Sequence, residues 1–170
     1  MYGNHQTLHN IFGDDSIRTT IDNGCLVNGF GYDMQKWGKK HCAIKDLHEG
    51  IDVKYSKNQP LYAPFDCKVE EVDSDKHYIV LRKDDVNYWY DGSGGTKRDT
   101  EVYLSNANLL DEFKEGDTLK EGQKFATSTG HQYCDKDTDN SLDTDYVHIK
   151  VKIDTDGYGW DFVDPRLVFY

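Results

Sequence analysis

In this chain of 170 residues, Leu47-His48-Glu49-Gly50-Ile51-Asp52-Val53 sets an imidazole and a carboxylate four positions apart. On a helix, positions i and i+4 share a face. Gly50, Ile51 and Val53 are poor helix formers, however, and β-branched residues favour strands. The stretch therefore reads as a loop entering a strand. Four residues of straight strand span roughly 13 Å, too far for both side chains to hold one ion. Glycine reaches backbone angles that other residues avoid, so Gly50 is expected to fold His48 back towards Asp52. An imidazole nitrogen and a carboxylate oxygen on such a bend suit zinc, which takes both at about 2.0–2.2 Å. The pair needs a third ligand. His148, in Tyr146-Val147-His148-Ile149-Lys150-Val151, is the candidate, and strand alternation places it on one face with Tyr146 and Lys150. Three protein ligands leave a fourth position open to water, as in catalytic zinc sites. The alternative reading is three unrelated surface groups.

A second group of candidate ligands lies in the acidic run 131–145. Asp135, Asp137, Asp139 and Asp143 have the 1-3-5-9 oxygen spacing of a calcium loop. Asn140 stands where glycine usually supplies the sharp turn, and Asn tolerates that conformation better than most residues. The bidentate Glu is missing, because Tyr146 occupies its position and Asp145 comes one residue early. The run reads equally as an acidic solvated loop, and calcium here would be weakly held. The cysteines at 25, 42, 67 and 134 contain no C-x-x-C pair, which argues against a thiolate zinc knuckle or a thioredoxin-type site. Their even number fits two disulfides, and fits four buried thiols nearly as well.

The elements that must position these residues are short strands. Extended segments are expected at Ser16–Thr20, up to Val53, at Leu61–Pro64, Cys67–Val72 and His77–Lys83. Val86–Tyr90 is expected to be the hairpin partner after a turn at Asp84-Asp85. Further strands are expected at Thr100–Leu104 and Tyr146–Ile153, with a turn, a short strand and a second turn within Glu115–Gln123, after which Lys124–Thr127 leads to Ser128-Thr129-Gly130. Residues 33–46 read as a basic loop or one helical turn, Gly92–Gly95 as a flexible loop, and Leu109–Lys114 as one helical turn. Turns rich in Gly and Asp every 8–12 residues indicate one all-β domain without an internal repeat or a linker.

Composition narrows the function classes. A net charge of −11 argues against nucleic acid or an anionic membrane as partner, since both require a basic patch. It suits cation binding. The absence of any run of 18 apolar residues excludes a transmembrane helix. Met1 is followed by polar residues where a signal peptide needs an apolar segment. The expectation is a cytosolic protein, or a mature form or fragment beginning with an added Met.

Several motifs, in this order, resemble the LytM/lysostaphin-type zinc metallopeptidases between about Asn28 and Pro165. They are Asn28-Gly29-Phe30-Gly31, His48-x-Gly50-x-Asp52, Tyr62-Ala63-Pro64, Glu115-Gly116-Asp117 with Gly122-Gln123, Ser128-Thr129-Gly130, the His148 strand and Val163-Asp164-Pro165. Within that group the chain is most similar to the secreted leukocyte cell-derived chemotaxin branch, a zinc-binding, non-proteolytic relative. Ser16–Thr20, Asn23-Gly24-Cys25, His48–Val53, Tyr62–Phe65 and Val147-His148-Ile149 carry that similarity.

The resemblance implies an all-β, antiparallel sheet domain of the lysostaphin/LytM type, a duplicated hybrid motif with long loops and little helix. It implies an N-terminal extension (1–27) packed on a zinc-binding domain (28–170), with a substrate groove above zinc. The family's ligands fall on His48, Asp52 and His148. Active members carry two further His near the metal that orient and deprotonate water. Those positions fall on Ser105 and Tyr146, so both bases are replaced; His131 is the candidate substitute or a solvated loop histidine. A general base contributes about 10²–10⁴-fold, and the expected product of losing both is a metal-binding domain with little hydrolysis. The chemotaxin similarity further implies a secreted domain with at least one disulfide. Its disulfide map does not carry over, because the usual near neighbour of Cys25 falls on Thr20, and Cys25–Cys42 is the first choice because both flank the segment leading into the His48 motif. The readings are a secreted binding or signalling module for a peptide, glycan or protein receptor; an active zinc endopeptidase on glycine-containing peptides such as peptidoglycan cross-bridges; or a structural domain of a larger assembly.

Overall fold

The computed structural model describes residues 11–13, 26–28, 49–89, 95–130, 145–155 and 159–168. Its strands are β1 (Leu26–Asn28), β2 (Ile51–Lys54), β3 (Pro60–Tyr62), β4 (Cys67–Asp73), β5 (Tyr78–Trp89), β6 (Gly95–Ser105), β7 (Ala107–Leu109), β8 (Thr118–Leu119), β9 (Lys124–Ser128), β10 (Tyr146–Asp154) and β11 (Trp160–Val163). One helical turn, α1, covers Pro165–Val168. The expected all-β antiparallel class is the one observed. The large sheet runs β1-β2-β10-β6-β5-β4-β8, with β11 also paired to β10, and a smaller sheet runs β3-β9-β7.

Side chains on a strand alternate between faces, and β10 does so cleanly. Val147, Ile149 and Val151 are fully buried, while His148, Lys150 and Lys152 lie between them on the other face, partly exposed. The buried set meets Ile51 and Val53 from β2, Val102 and Leu104 from β6, and Ile79 and Leu81 from β5. Leu61, Phe125 and Ala126 of the small sheet join the same apolar cluster. Hydrophobic burial thus fixes which face of β10 is turned outwards. Ile11, also fully buried, ties the chain's early part to this core, its carbonyl accepting the Tyr62 N–H at 2.9 Å.

Three expectations are corrected. Asp84-Asp85 does not end a strand: β5 continues through it to Trp89 and pairs along its length with β6, not with a Val86–Tyr90 hairpin. The register shifts there, Asp85 takes a left-handed φ of 57°, and its N–H is taken by the Asp99 carboxylate at 3.0 Å. These are the marks of a bulge, which absorbs an extra residue without breaking the ladder. Leu109–Lys114 is not a helical turn; Leu109 ends β7 and the Phe113 N–H closes a tight turn on the Leu110 carbonyl. Cys67 is a free, buried thiol, so the four cysteines do not form two disulfides. Burial pushes that thiol up to about 12. Ser16–Thr20, residues 33–46, Cys25, Cys42, Cys134 and the Cys25–Cys42 pairing lie outside the described residues.

Burial also raises the hydroxyls of Tyr55, Tyr78 and Tyr146 from 10.0 to about 12. A folded-state value above the unfolded one means that the fold holds those protons longer than the unfolded chain does. Their contribution is complete below pH 10 and is lost as pH rises towards 12. Alkaline titration followed by tyrosinate absorbance and circular dichroism should show late-ionising tyrosines whose release coincides with unfolding.

Candidate metal centre

The outward face of the large sheet brings two of the candidate ligands, Asp52 and His148, together through strand register. Asp52 on β2 is paired directly with His148 on β10. His148 is paired on its other side with Ser105 on β6, and Ser105 with Tyr78 on β5. Directly opposed residues share a face, with Cβ atoms about 4.5–5.5 Å apart. The row Asp52–His148–Ser105–Tyr78 therefore crosses four strands at one level. Asp52 Oδ1 and His148 Nδ1 are 2.6 Å apart in a hydrogen bond, with the Asp52 side chain 7% and the His148 side chain 19% exposed.

Gly50 stands beside them, for a reason other than the expected one. It does not adopt a left-handed backbone. A Cβ at this position would sit 2.3 Å from the Ile149 carbonyl oxygen and 2.9 Å from both Cε1 and Nε2 of His148. Only glycine lets the chain entering β2 pass this close to the imidazole.

The carboxylate and the imidazole are donor types that zinc takes; at 2.6 Å the two share a proton, which a metal held by both would have to displace as the two atoms move apart. Among the described residues no third His, Cys, Asp or Glu completes a cluster. His48, the expected third ligand, lies outside them, as do His131 and Asp135, Asp137, Asp139 and Asp143. Asp145, at the end of that acidic run, is described: its carboxylate accepts the Lys57 N–H at 2.9 Å and its carbonyl the Tyr55 N–H at 3.1 Å.

Tyr146 precedes His148 by one alternation on the same face and is 7% exposed. Burial first, then the Asp52 carboxylate, push its hydroxyl up to about 12. It keeps its proton at neutral pH and can donate a hydrogen bond, but cannot serve as a base there. Its backbone carbonyl accepts Asn106 Nδ2 at 3.2 Å. Asn106 itself is buried and left-handed, with φ 62°, a conformation that Asn accepts more readily than most residues. Ser105, just before it, is partly exposed opposite His148, and its hydroxyl is too weakly basic to replace an imidazole. The sequence reading did not single out Tyr78 or Asn106. Neither carries a motif, and only pairing brings them to the site.

Replacing Gly50 by alanine should displace either the His148 ring or the β2–β10 ladder. The expected cost is about 1–3 kcal/mol of stability, typical of overpacking. Urea unfolding reads that loss, and imidazole NMR shifts of His148 read the local change. A variant as stable as the parent with an unshifted His148 would overturn this account of the glycine.

No protein-family model matches the chain, and no curated protein sequence matches it. Among solved structures, it superposes on the catalytic domain of the antimicrobial peptidase lysostaphin from Staphylococcus simulans. The TM-score is 0.54 at 16% identity, covering 83% of this chain and 89% of that one. It also superposes on the catalytic domain, in a mutant form, of the prophage-encoded M23 protein EnpA from Enterococcus faecalis. There the TM-score is 0.52 at 18% identity, covering 94% and 95% of the two chains. At such identities the likeness is one of fold, and the chain has the all-β fold of the lysostaphin-type peptidase domain.

Proposed function

We propose that this is a zinc-binding, catalytically impaired relative of the lysostaphin-type peptidases that recognises a peptide, glycan or protein receptor across its outward sheet face. The observation that carries this reading is the Asp52–His148 pair at 2.6 Å, with non-imidazole residues at the neighbouring positions. Ser105 stands opposite His148, and the buried, protonated Tyr146 lies on the same face. Asp52 and His148, with His48 as third ligand, would hold the ion. Zinc bound there would polarise a carbonyl of the ligand. The chain's own residues do the rest: Gly50 lets the backbone pass beside the His148 ring, and Tyr146 offers a hydroxyl donor. None of Tyr146, Ser105 or Tyr78 takes up a proton at neutral pH from a bound water, which is the step a peptidase requires. Secretion belongs to this reading through the chemotaxin similarity.

The second reading, an active endopeptidase on glycine-containing peptides, is favoured by the fold of the lysostaphin catalytic domain. Zinc titration by calorimetry and a chelator-sensitive assay on a pentaglycine peptide separate the two. The expected outcome is one zinc per chain, lost in Asp52→Asn and His148→Ala, with slow or no cleavage. Ser105→His combined with Tyr146→His should raise cleavage by about 10²-fold or more, the usual range for a general base. Rapid zinc-dependent turnover by the unaltered chain would select the endopeptidase. Failure to bind zinc would reject both readings.

A further inference from the structure

Beyond the metal row, the outward face carries two lysines in an unusual setting. Lys150 Nζ lies 5.4 Å from the centre of the Tyr103 ring and 5.0 Å from that of Phe162. Lys152 Nζ lies 5.9 Å and 5.0 Å from the same two rings. Register explains the cluster: Lys150 is paired with Tyr103, and Lys152 with Glu101 on one side and Phe162 on the other. The two rings meet edge to face at 6.3 Å, so the lysine stems pass over a continuous aromatic surface.

Neither ammonium has a carboxylate within ion-pairing distance among the described residues. Glu49 acts on Lys150 only through space, and the Glu101 carboxylate is engaged by the Tyr103 hydroxyl at 2.6 Å and by Arg82 at 3.6 Å. The contrast with Arg82, on the same face, is sharp. It pairs with Asp84, Asp99 and Glu101 at 3.0, 3.3 and 3.6 Å. In a chain with 31 acidic and 20 basic residues, carboxylates are plentiful, yet among the described residues none pairs with the two partly buried lysines beside the candidate metal centre. A ring face attracts the cation, but it does not satisfy the three N–H donors of an ammonium.

The spacing completes the argument. Along a strand, alternate residues are about 7 Å apart. Lys150 therefore stands one such step from His148, and Lys152 two. An extended peptide laid along β10 repeats its own same-face side chains at that interval. We propose that Lys150 and Lys152, set over Tyr103 and Phe162, form a subsite for an extended peptide with acidic side chains on alternate residues, its backbone passing over the Asp52–His148 pair. This deepens the proposed function and rests on it for the peptide's path over the metal row.

The probes are acetyl-Gly-Glu-Gly-Glu-Gly-amide, its Gln counterpart, and pentaglycine with a free carboxylate end, titrated calorimetrically into the full chain at low salt. The Glu peptide should bind about tenfold tighter than the Gln peptide, as charged hydrogen bonds in a partly buried site allow. That preference should fall with added salt. Lys150→Met should remove most of it and Lys152→Met part of it, both keeping the apolar stem over the rings. Lys124→Met, on the exposed side of the small sheet, should leave it unchanged. Equal binding of the Glu and Gln peptides by the unaltered chain would overturn the proposal. So would tighter binding of the pentaglycine carboxylate than of the Glu peptide, or an acid preference that survives the double Lys150→Met, Lys152→Met change. Zinc content measured on the same samples keeps the two ideas apart: zinc bound without acid preference rejects the subsite alone, and acid preference without zinc rejects the metal reading alone.

Discussion

Everything at the candidate site depends on the antiparallel register of β2, β10, β6 and β5. Asp52 and His148 are 96 positions apart in the chain, and their hydrogen bond at 2.6 Å exists because Ile51 and Val53 pack into the same core as Val147 and Ile149. A slip of one residue would turn every side chain on β10 over. It would bury His148, Lys150 and Lys152 and expose three fully buried aliphatic residues. The apolar cost of that exchange far exceeds the worth of any one polar contact on the outer face. The core therefore sets the site geometry, and the polar groups exploit a register that they did not need to create.

The same lattice arranges the outer face in levels. Asp52, His148, Ser105 and Tyr78 form one level. Lys150 with Tyr103 forms the next, and Phe162, Lys152, Glu101 and Arg82 the one beyond. Strand β11 occupies the edge of β10 that β2 leaves free, so Phe162 continues the row begun by the residues of β2. A metal-type level and a cationic, aromatic level thus stand side by side on one sheet.

The proposed character of the face rests on Asp52 and His148 standing beside Ser105 and Tyr146, neither of which is an imidazole. Metal binding requires a carboxylate and an imidazole close together, and Asp52 with His148 supplies both donor types side by side. Hydrolysis requires in addition a group that takes up a proton at neutral pH. Tyr146, pushed up to about 12 by burial and by Asp52, is held in the opposite state. The neighbourhood of the carboxylate that suits a cation also keeps this phenol neutral.

Alternation along Tyr146–Ile153 and Cys67–Val72, with turn residues at short intervals, was enough to determine the all-β class and most strand positions. Both are local properties: they follow from period-two burial and from the backbone demands of Gly, Asn and Asp. The sequence alone also marked Asp52 and His148 as candidate partners, through motif order. It did not determine that β5 runs unbroken through Asp84-Asp85, because a bulge and a turn use the same residues and only the partner strand β6 distinguishes them. It did not show why residue 50 must be glycine, since the constraint comes from the His148 ring and the Ile149 carbonyl, far along the chain. Nor could it gather Lys150, Lys152, Tyr103 and Phe162 into one cluster. Those contacts cross three strands, and cross-strand neighbours are decided by register, which is a property of the packed sheet and not of any one segment.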